Sequence, residues 1–466
     1  IYTETITSRS GKQKQVMNIE SLWGPVIGWD HLGRLLSYQW VAYSKQAVNL
    51  KLLELEMANT TWEAIRLAPQ LGMPPQNIIL ADHKGNIAWT IAGAIPVRHS
   101  SAADTKPLSE TGQSWSSYLQ GEDYPRIVNP TIQRLWTANN RVTAGKDLDF
   151  IRFDGGDLGA RAQQIRDTLF STDAFNESDF YALQMDDRAI LMQRWSDLLQ
   201  TVVQPFSWEE PSARQEPSAQ SSATNKVSLL GTANAAVSVQ TETLMDKELA
   251  EIKMGLTDQP LTADKNSLEY LLVKTFRNRV INQTVGWIYD TLEKYYPEHF
   301  RRSAVDTMVE YPVWSLISQR PGHLLPDGFS SWDEFLQAAA RETYQELAMS
   351  SSKPVAQQTW GDYNQLFIQH PFSLLNPVLD WLLNVSEVPM SGDNHMPNVY
   401  NHRFGASMRM VVSPGYEANG LMQMPLGQSG HPLSAYSSAG HQAWVDGQPG
   451  SFLPSETEWT LLLKAK

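Results

Sequence analysis

Ile78-Ile79-Leu80-Ala81-Asp82-His83-Lys84-Gly85-Asn86-Ile87-Ala88-Trp89-Thr90-Ile91 holds two short apolar runs around five turn-forming residues. The runs are rich in β-branched and aromatic side chains, and Gly85 within the connection supplies backbone freedom, so the stretch predicts a β-hairpin. Upstream, Asn59 and Thr60 open a helical spacing at Trp62, Ile65 and Leu67 that ends before Gly72 and Pro74. Residues 35–43 alternate like a strand. Residues 1–157 are therefore expected to be mainly strand.

Beyond that region the period changes. Residues 158–170 and 179–203 carry helical spacing, with Leu183, Leu191, Trp195, Leu198, Leu199 and Val202 on one face, which reads as core packing. Residues 205–240 are rich in Pro, Ser, Ala, Gln and Thr and predict a long exposed loop. Helical periodicity resumes over 266–296, and Ser331 with Glu334 predicts a capping box ahead of Phe335, Leu336, Ala339, Tyr344 and Leu347. Residues 158–350 are thus expected to be mainly helical. The last part, 351–466, returns to strand patterns at 407–412, 421–424 and 457–463. Strands at both ends of the chain with helices inserted between them predict an α+β domain whose sheet draws on distant segments.

The 466 residues correspond to roughly three domain equivalents or one large elaborated domain. A composition of 42% hydrophobic and 19% charged residues excludes a disordered, collagen-like or coiled-coil protein. A formal net charge of −13 repels phosphate backbones and anionic lipid, which argues against nucleic acid and membrane as partners. With no cysteine, disulfides, thiolate nucleophiles and Cys-ligated metals are excluded. No run approaches the ~20 apolar residues of a membrane span. The chain starts at Ile1, as expected for a processed product or a trimmed one.

Common catalytic motifs are absent: Gly427-Gln428-Ser429-Gly430 has the wrong spacing for a nucleophile elbow, and there is no P-loop, HExxH or GxGxxG. Asp30 with His31, or Asp393 with His395, read as loop residues rather than metal ligands. Asp186 and Asp187 fall in a helical pattern, where adjacent side chains do not face each other, which argues against a catalytic dyad. Polar residues in apolar surroundings are more informative. Asn139 and Asn140 follow the run Leu135-Trp136-Thr137-Ala138, and two adjacent amides there could donate N–H groups to a developing oxyanion. Taken alone, the segment is a strand-ending Asn turn. Arg161, in Gly159-Ala160-Arg161, stands near a helix start, where a salt bridge is its ordinary role.

The ordered set of blocks goes further. Ala81 to Ile87, Ala92-Gly93-Ala94-Ile95-Pro96-Val97-Arg98, Thr137-Ala138-Asn139-Asn140-Arg141, Gly159-Ala160-Arg161, Thr359-Trp360-Gly361 with His370-Pro371, Phe404 to Val412, and Gly427 to Ser434 occur in this order. Together they resemble the β chain of the penicillin acylase family of N-terminal nucleophile hydrolases. The resemblance runs from about residue 22 to 463 and is weakest across 205–330. It implies a four-layer αββα sandwich with a helical insertion, forming one large β-chain domain that lacks its N-terminal portion.

It also implies a mechanism. A precursor is cut into a small α chain and a larger β chain whose new N-terminal serine is the nucleophile and whose own α-amine is the base. That amine has a pKa of about 7.7–8.0, close enough to working pH to accept the serine proton. By position in their blocks, Asn139 is the oxyanion donor, and Arg161 holds the nucleophile's amine and the asparagine in place. Since Ile1 is neither Ser, Thr nor Cys, this chain is expected to be a truncated β chain, inactive alone. Relatives usually carry a histidine before the glycine of Ser21-Leu22-Trp23-Gly24-Pro25-Val26; here Trp23 stands there.

The implied substrate is an N-acylated small molecule, such as a β-lactam with its acyl side chain or an acyl-homoserine lactone. The implied partner is the small α chain of the same precursor, and the implied location is the periplasm or the exterior. No cofactor is expected for catalysis. Many relatives bind a structural calcium, for which Asp147 or Asp149 is the remaining candidate ligand. The competing reading is a non-catalytic homologue that acts as a binding subunit.

Overall fold

The computed structural model describes residues 1–30, 32–98, 115–151, 156–204, 247–296, 300, 302, 305, 308–457 and 459–464. The expected loop at 205–240 and the candidate ligand His31 lie outside the described residues. The chain groups into two compact units: residues 1–180, 410–422 and 450–466, and residues 181–409 and 423–449.

The first unit is organised by the hairpin. Strands Gln76–Ala81 and Ile87–Ala92 pair antiparallel, with Ala81 opposite Ile87, and Arg126–Val128 adds on the other side of Ile87–Ala92. As the central strand, Ile87–Ala92 is buried along nearly its whole length, so it lacks the half-polar alternation of an edge strand. Trp89 and Ile91 join Ile95, Leu119 and Tyr124 in a small core. The Tyr124 hydroxyl donates to the Gly93 carbonyl at 2.8 Å and accepts from the Ile95 N–H at 3.0 Å. Those two bonds fasten the chain where it leaves the sheet.

Asp82 closes the hairpin. Its carboxylate accepts from the Thr61 N–H at 3.1 Å, the Lys84 N–H at 2.9 Å and the Asn86 N–H at 3.1 Å. Burial pushes its pKa up, but the bonds from Thr61, Asn86 and Lys84 outweigh that and hold it well below the usual carboxylate range. The neighbouring helix is Thr61–Leu67, capped by the Thr60 side chain, and a 3-10 turn Ala68–Gln70 continues it. Within 35–43 the strand is short, Leu35–Ser37, and Val41–Tyr43 is a 3-10 turn.

The second unit is helical around one large core. Trp195, Leu199, Tyr270, Phe276, Val280, Phe335, Leu336 and Ala339 lie in it, carried by helices Ile190–Val202, Leu268–Tyr295 and Trp332–Ser350. The Ser331 hydroxyl accepts from the Glu334 N–H at 3.1 Å, as expected. The return arm lands one residue earlier, because the Glu334 carboxylate accepts from the Ser330 N–H at 2.9 Å. Glu310, with no exposed surface, binds Arg194 and Arg277 at 2.5 Å each and accepts from the Trp195 indole N–H at 2.7 Å.

Two expectations are corrected here. The periodic stretch 179–203 is two helices, Glu177–Gln184 and Ile190–Val202. It breaks because the Asp187 carbonyl accepts from the Ala263 N–H at 2.9 Å and Arg188 forms a β-bridge with Thr262, so residues 186–188 are extended and not helical. Residues 457–463 form no strand among the described residues, and Trp459 and Leu461 to Leu463 are exposed. Alternating apolar residues need a ladder partner to become a strand, and none is present for them among the described residues. The other C-terminal strands are short: Arg409–Val411, Leu421–Gln423 and Gly450–Ser451.

Candidate active site

The two residues singled out in sequence, 22 positions apart, meet in the first unit. The Arg161 Nη2 donates to the Asn139 Oδ1 at 3.1 Å. Because a guanidinium can only donate, this contact fixes the amide with its oxygen toward Arg161. The Asn139 NH2 group therefore faces away. Among the described residues it has no partner, and Asn139 is exposed.

Local structure explains how the amide is presented. Asn139 has a φ of 59°, in the left-handed region that asparagine tolerates better than most side chains. Its carbonyl accepts from the Asp157 N–H at 2.9 Å, tying the loop to the segment before the helix Ala160–Leu169. Asn140 is spent locally. Its Oδ1 accepts from the Ala138 N–H at 3.0 Å and its Nδ2 donates to the Arg141 carbonyl at 2.8 Å. Of the two adjacent amides, only that of Asn139 keeps an unengaged NH2 among the described residues, with Asn140 as the brace of the turn.

Arg161 occupies the first turn of Ala160–Leu169, behind Gly159 at φ 83°. A cation there opposes the helix dipole, a cost of about 0.3–1 kcal/mol. Asp157 offsets it: its Oδ2 accepts from Arg161 Nε at 2.9 Å and Nη2 at 2.5 Å, with the two side chains 18% and 19% exposed. The same Nη2 reaches both Asp157 and Asn139, so the carboxylate sets the position of the asparagine through the guanidinium. Asp157 is the residue that sequence reasoning missed. Its only sequence signal is the Asp-Arg spacing of four across a helix start, which is common at ordinary salt bridges.

Among the described residues, no other candidate gathers into a catalytic or metal-binding set. Asp147 and Asp149 lie two positions apart on the helix Gly145–Ile151, spacing that turns their side chains to different faces. Among the described residues, no group of three or more His, Asp or Glu side chains converges as metal ligands, so these residues do not by themselves fit a calcium ion. Asp393 is buried and committed, accepting from the Tyr270 hydroxyl at 2.6 Å and Lys274 Nζ at 2.5 Å. Burial raises its pKa, yet Lys274 and Tyr270 together hold it below the ordinary value. Asp186 pairs with Arg188 at 2.6 Å. Asp187 is pushed up to about 6 by burial and by the nearby Asp264 and Asp186.

The family model for penicillin amidase matches residues 1–459. The chain belongs to the penicillin amidase family. It is 22% identical over 458 residues to the penicillin acylase 2 proenzyme of Pseudomonas sp. (strain SE83), covering 95% of this chain and 52% of that protein. This family member thus spans about half the length of that curated relative. Its fold is similar to that of a thermostable penicillin G acylase from Alcaligenes faecalis, with a TM-score of 0.57 at 14% identity, over 100% of this chain and 82% of that one. The α+β class expected from strands at both ends of the chain with helices between them is therefore the class of the fold.

Proposed function

We propose that this chain is part of an amidohydrolase that releases an acyl group from an amine, and that Asn139 supplies the side-chain donor to the oxyanion. The observation that carries the reading is the hydrogen bond from Arg161 to the Asn139 oxygen, which leaves the amide NH2 free to donate. In the proposed reaction an N-terminal serine, lying outside these 466 residues, attacks the amide carbonyl and passes its proton to its own α-amine. The new oxyanion accepts from Asn139 Nδ2 and a backbone N–H. Collapse breaks the C–N bond, the α-ammonium returns the proton to the leaving amine, and water then hydrolyses the acyl-serine. Arg161, anchored by Asp157, holds Asn139 and the α-amine in register.

On this reading the chain alone is inactive, and the active species is a heterodimer processed from a zymogen and exported to the periplasm or beyond. Substrates are β-lactams bearing acyl side chains or acyl-homoserine lactones, which links the enzyme to antibiotic conversion or quorum quenching. Support for export comes from the family alone. Among the described residues no helix is long and apolar enough to cross a membrane.

The test is expression of the full-length gene, N-terminal sequencing of its products, and hydrolysis of arylamides bearing aromatic and aliphatic acyl groups. A processed chain starting with serine and an Asn139→Ala variant that folds but turns over roughly 10² to 10³ more slowly is the expected result. Equal turnover in that variant removes Asn139 from the mechanism. A native chain with no N-terminal nucleophile and no hydrolysis makes the protein a binding homologue instead.

A further inference from the structure

The second unit contains a cavity of about 350 Å3 with Leu366, Ile368 and Trp444 among its walls and Arg403, Gln369 and Ser407 supplying polar groups. Trp444 is 1% exposed and fixed by its indole N–H, which donates to the Ala406 carbonyl at 3.1 Å. Arg403 sits on a tight turn. Asn401 N–H donates to the Phe404 carbonyl at 2.9 Å, Phe404 N–H returns a bond to the Asn401 carbonyl at 3.1 Å, and Arg403 N–H reaches Asn401 Oδ1 at 3.2 Å. The turn is pinned to the cavity wall, because the His402 carbonyl accepts from the Phe367 N–H at 2.8 Å and the His402 ring lies 2.8 Å from the Gln365 carbonyl.

Against that fixed backbone, three side chains hold unspent donors. Arg403, Gln369 and Ser407 make no side-chain hydrogen bond or ion pair among the described residues. Most other arginines of this unit do: Arg194, Arg277, Arg279, Arg302 and Arg320 all pair with carboxylates. An apolar cavity with a few polar residues in its lining has the general form of a small-molecule site. A planar guanidinium at its rim selects a carboxylate, which it can bind through two parallel N–H donors.

We infer that this cavity binds a small organic carboxylate with an aryl or alkyl body, its carboxylate on Arg403 and its apolar part against Ile368 and Trp444. Gln369 and Ser407 supply further donors to the same oxygens. The site shares no residue with the Asn139 arrangement, so it stands or falls independently of the proposed catalytic function.

Titration calorimetry of the full chain with 3-phenylpropionate and with the neutral 3-phenylpropionamide tests it. The acid is expected to bind saturably at one site, and Arg403→Gln to weaken it by about tenfold or more while leaving the amide unaffected. Ile368→Trp, which fills the cavity, abolishes binding of both, and Asn139→Ala changes neither. Arg403 is exposed, so its replacement leaves folding intact, as circular dichroism verifies. Unchanged acid affinity in Arg403→Gln, equal loss of acid and amide in it, or no saturable binding to the wild type overturns the assignment.

Discussion

Replacing Asp157 by Asn keeps the size of the side chain and the backbone N–H that binds the Asn139 carbonyl, but removes the charge facing Arg161. Hydrogen bonds to a charged group contribute about 1.5–3 kcal/mol each; Asp157 Oδ2 accepts both bonds from Arg161 and Oδ1 accepts from the Leu158 N–H, so an asparagine that keeps its oxygen toward Arg161 loses the charge and turns its NH2 against the Leu158 N–H. The first-turn cation is then also left against the helix dipole. Together these set a stability loss of about 1.5–3 kcal/mol, measurable as a lower urea midpoint. Complete loss of an oxyanion donor lowers turnover by roughly 10² to 10³. Arg161 can still reach Asn139 without its anchor, so kcat should fall by only about tenfold, equivalent to about 1.4 kcal/mol, with KM little changed. The decisive comparison is a double-mutant cycle in the processed enzyme. If Asp157 acts through Asn139, Asp157→Asn adds less than about twofold once Asn139 is already Ala. The same tenfold loss in both backgrounds would refute the route from carboxylate to guanidinium to amide.

Three further outcomes are expected. Tyr124→Phe removes a buried hydroxyl that bridges Gly93 and Ile95 and leaves both backbone groups unsatisfied, lowering stability by about 1–3 kcal/mol in urea unfolding. Glu310→Gln leaves two guanidiniums around a neutral buried group and should cost about 3–5 kcal/mol, read as a drop in thermal midpoint. Asp187 has a folded-state pKa raised from 3.8 to about 6, so between those values the unfolded chain binds fewer protons and stability falls as pH rises. Asp187→Asn should flatten that slope and stabilise the protein at neutral pH, which denaturant titrations at pH 4 to 7 would detect.

Local chemistry was legible in the sequence wherever it is also what shapes the backbone. The hairpin around Gly85, the Thr60 cap and the Ser331 cap appear where turn and capping residues put them. Periodicity misled where tertiary bonds intervene, as at residues 186–188, which the Ala263 and Thr262 contacts hold extended. Of the candidate site, Asn139 and Arg161 were visible through their family blocks. Their contact, the local use of Asn140 and the part of Asp157 were not, because each depends on which amide hydrogen and which oxygen face each other across the loop.

On the proposed mechanism, the left-handed backbone at Asn139 makes one residue answer two demands at once. Gly, Asn and Asp stand in that conformation at the least cost, although Gln133 at φ 53° and Arg320 at φ 50° also adopt it in this chain. Of those three, glycine has no side chain to donate and aspartate would bring a negative charge to a developing negative charge. Of these three, asparagine is the one that serves both the chain reversal and the proposed chemistry. Asn139→Gly therefore separates the demands, by removing the donor while keeping the turn relaxed.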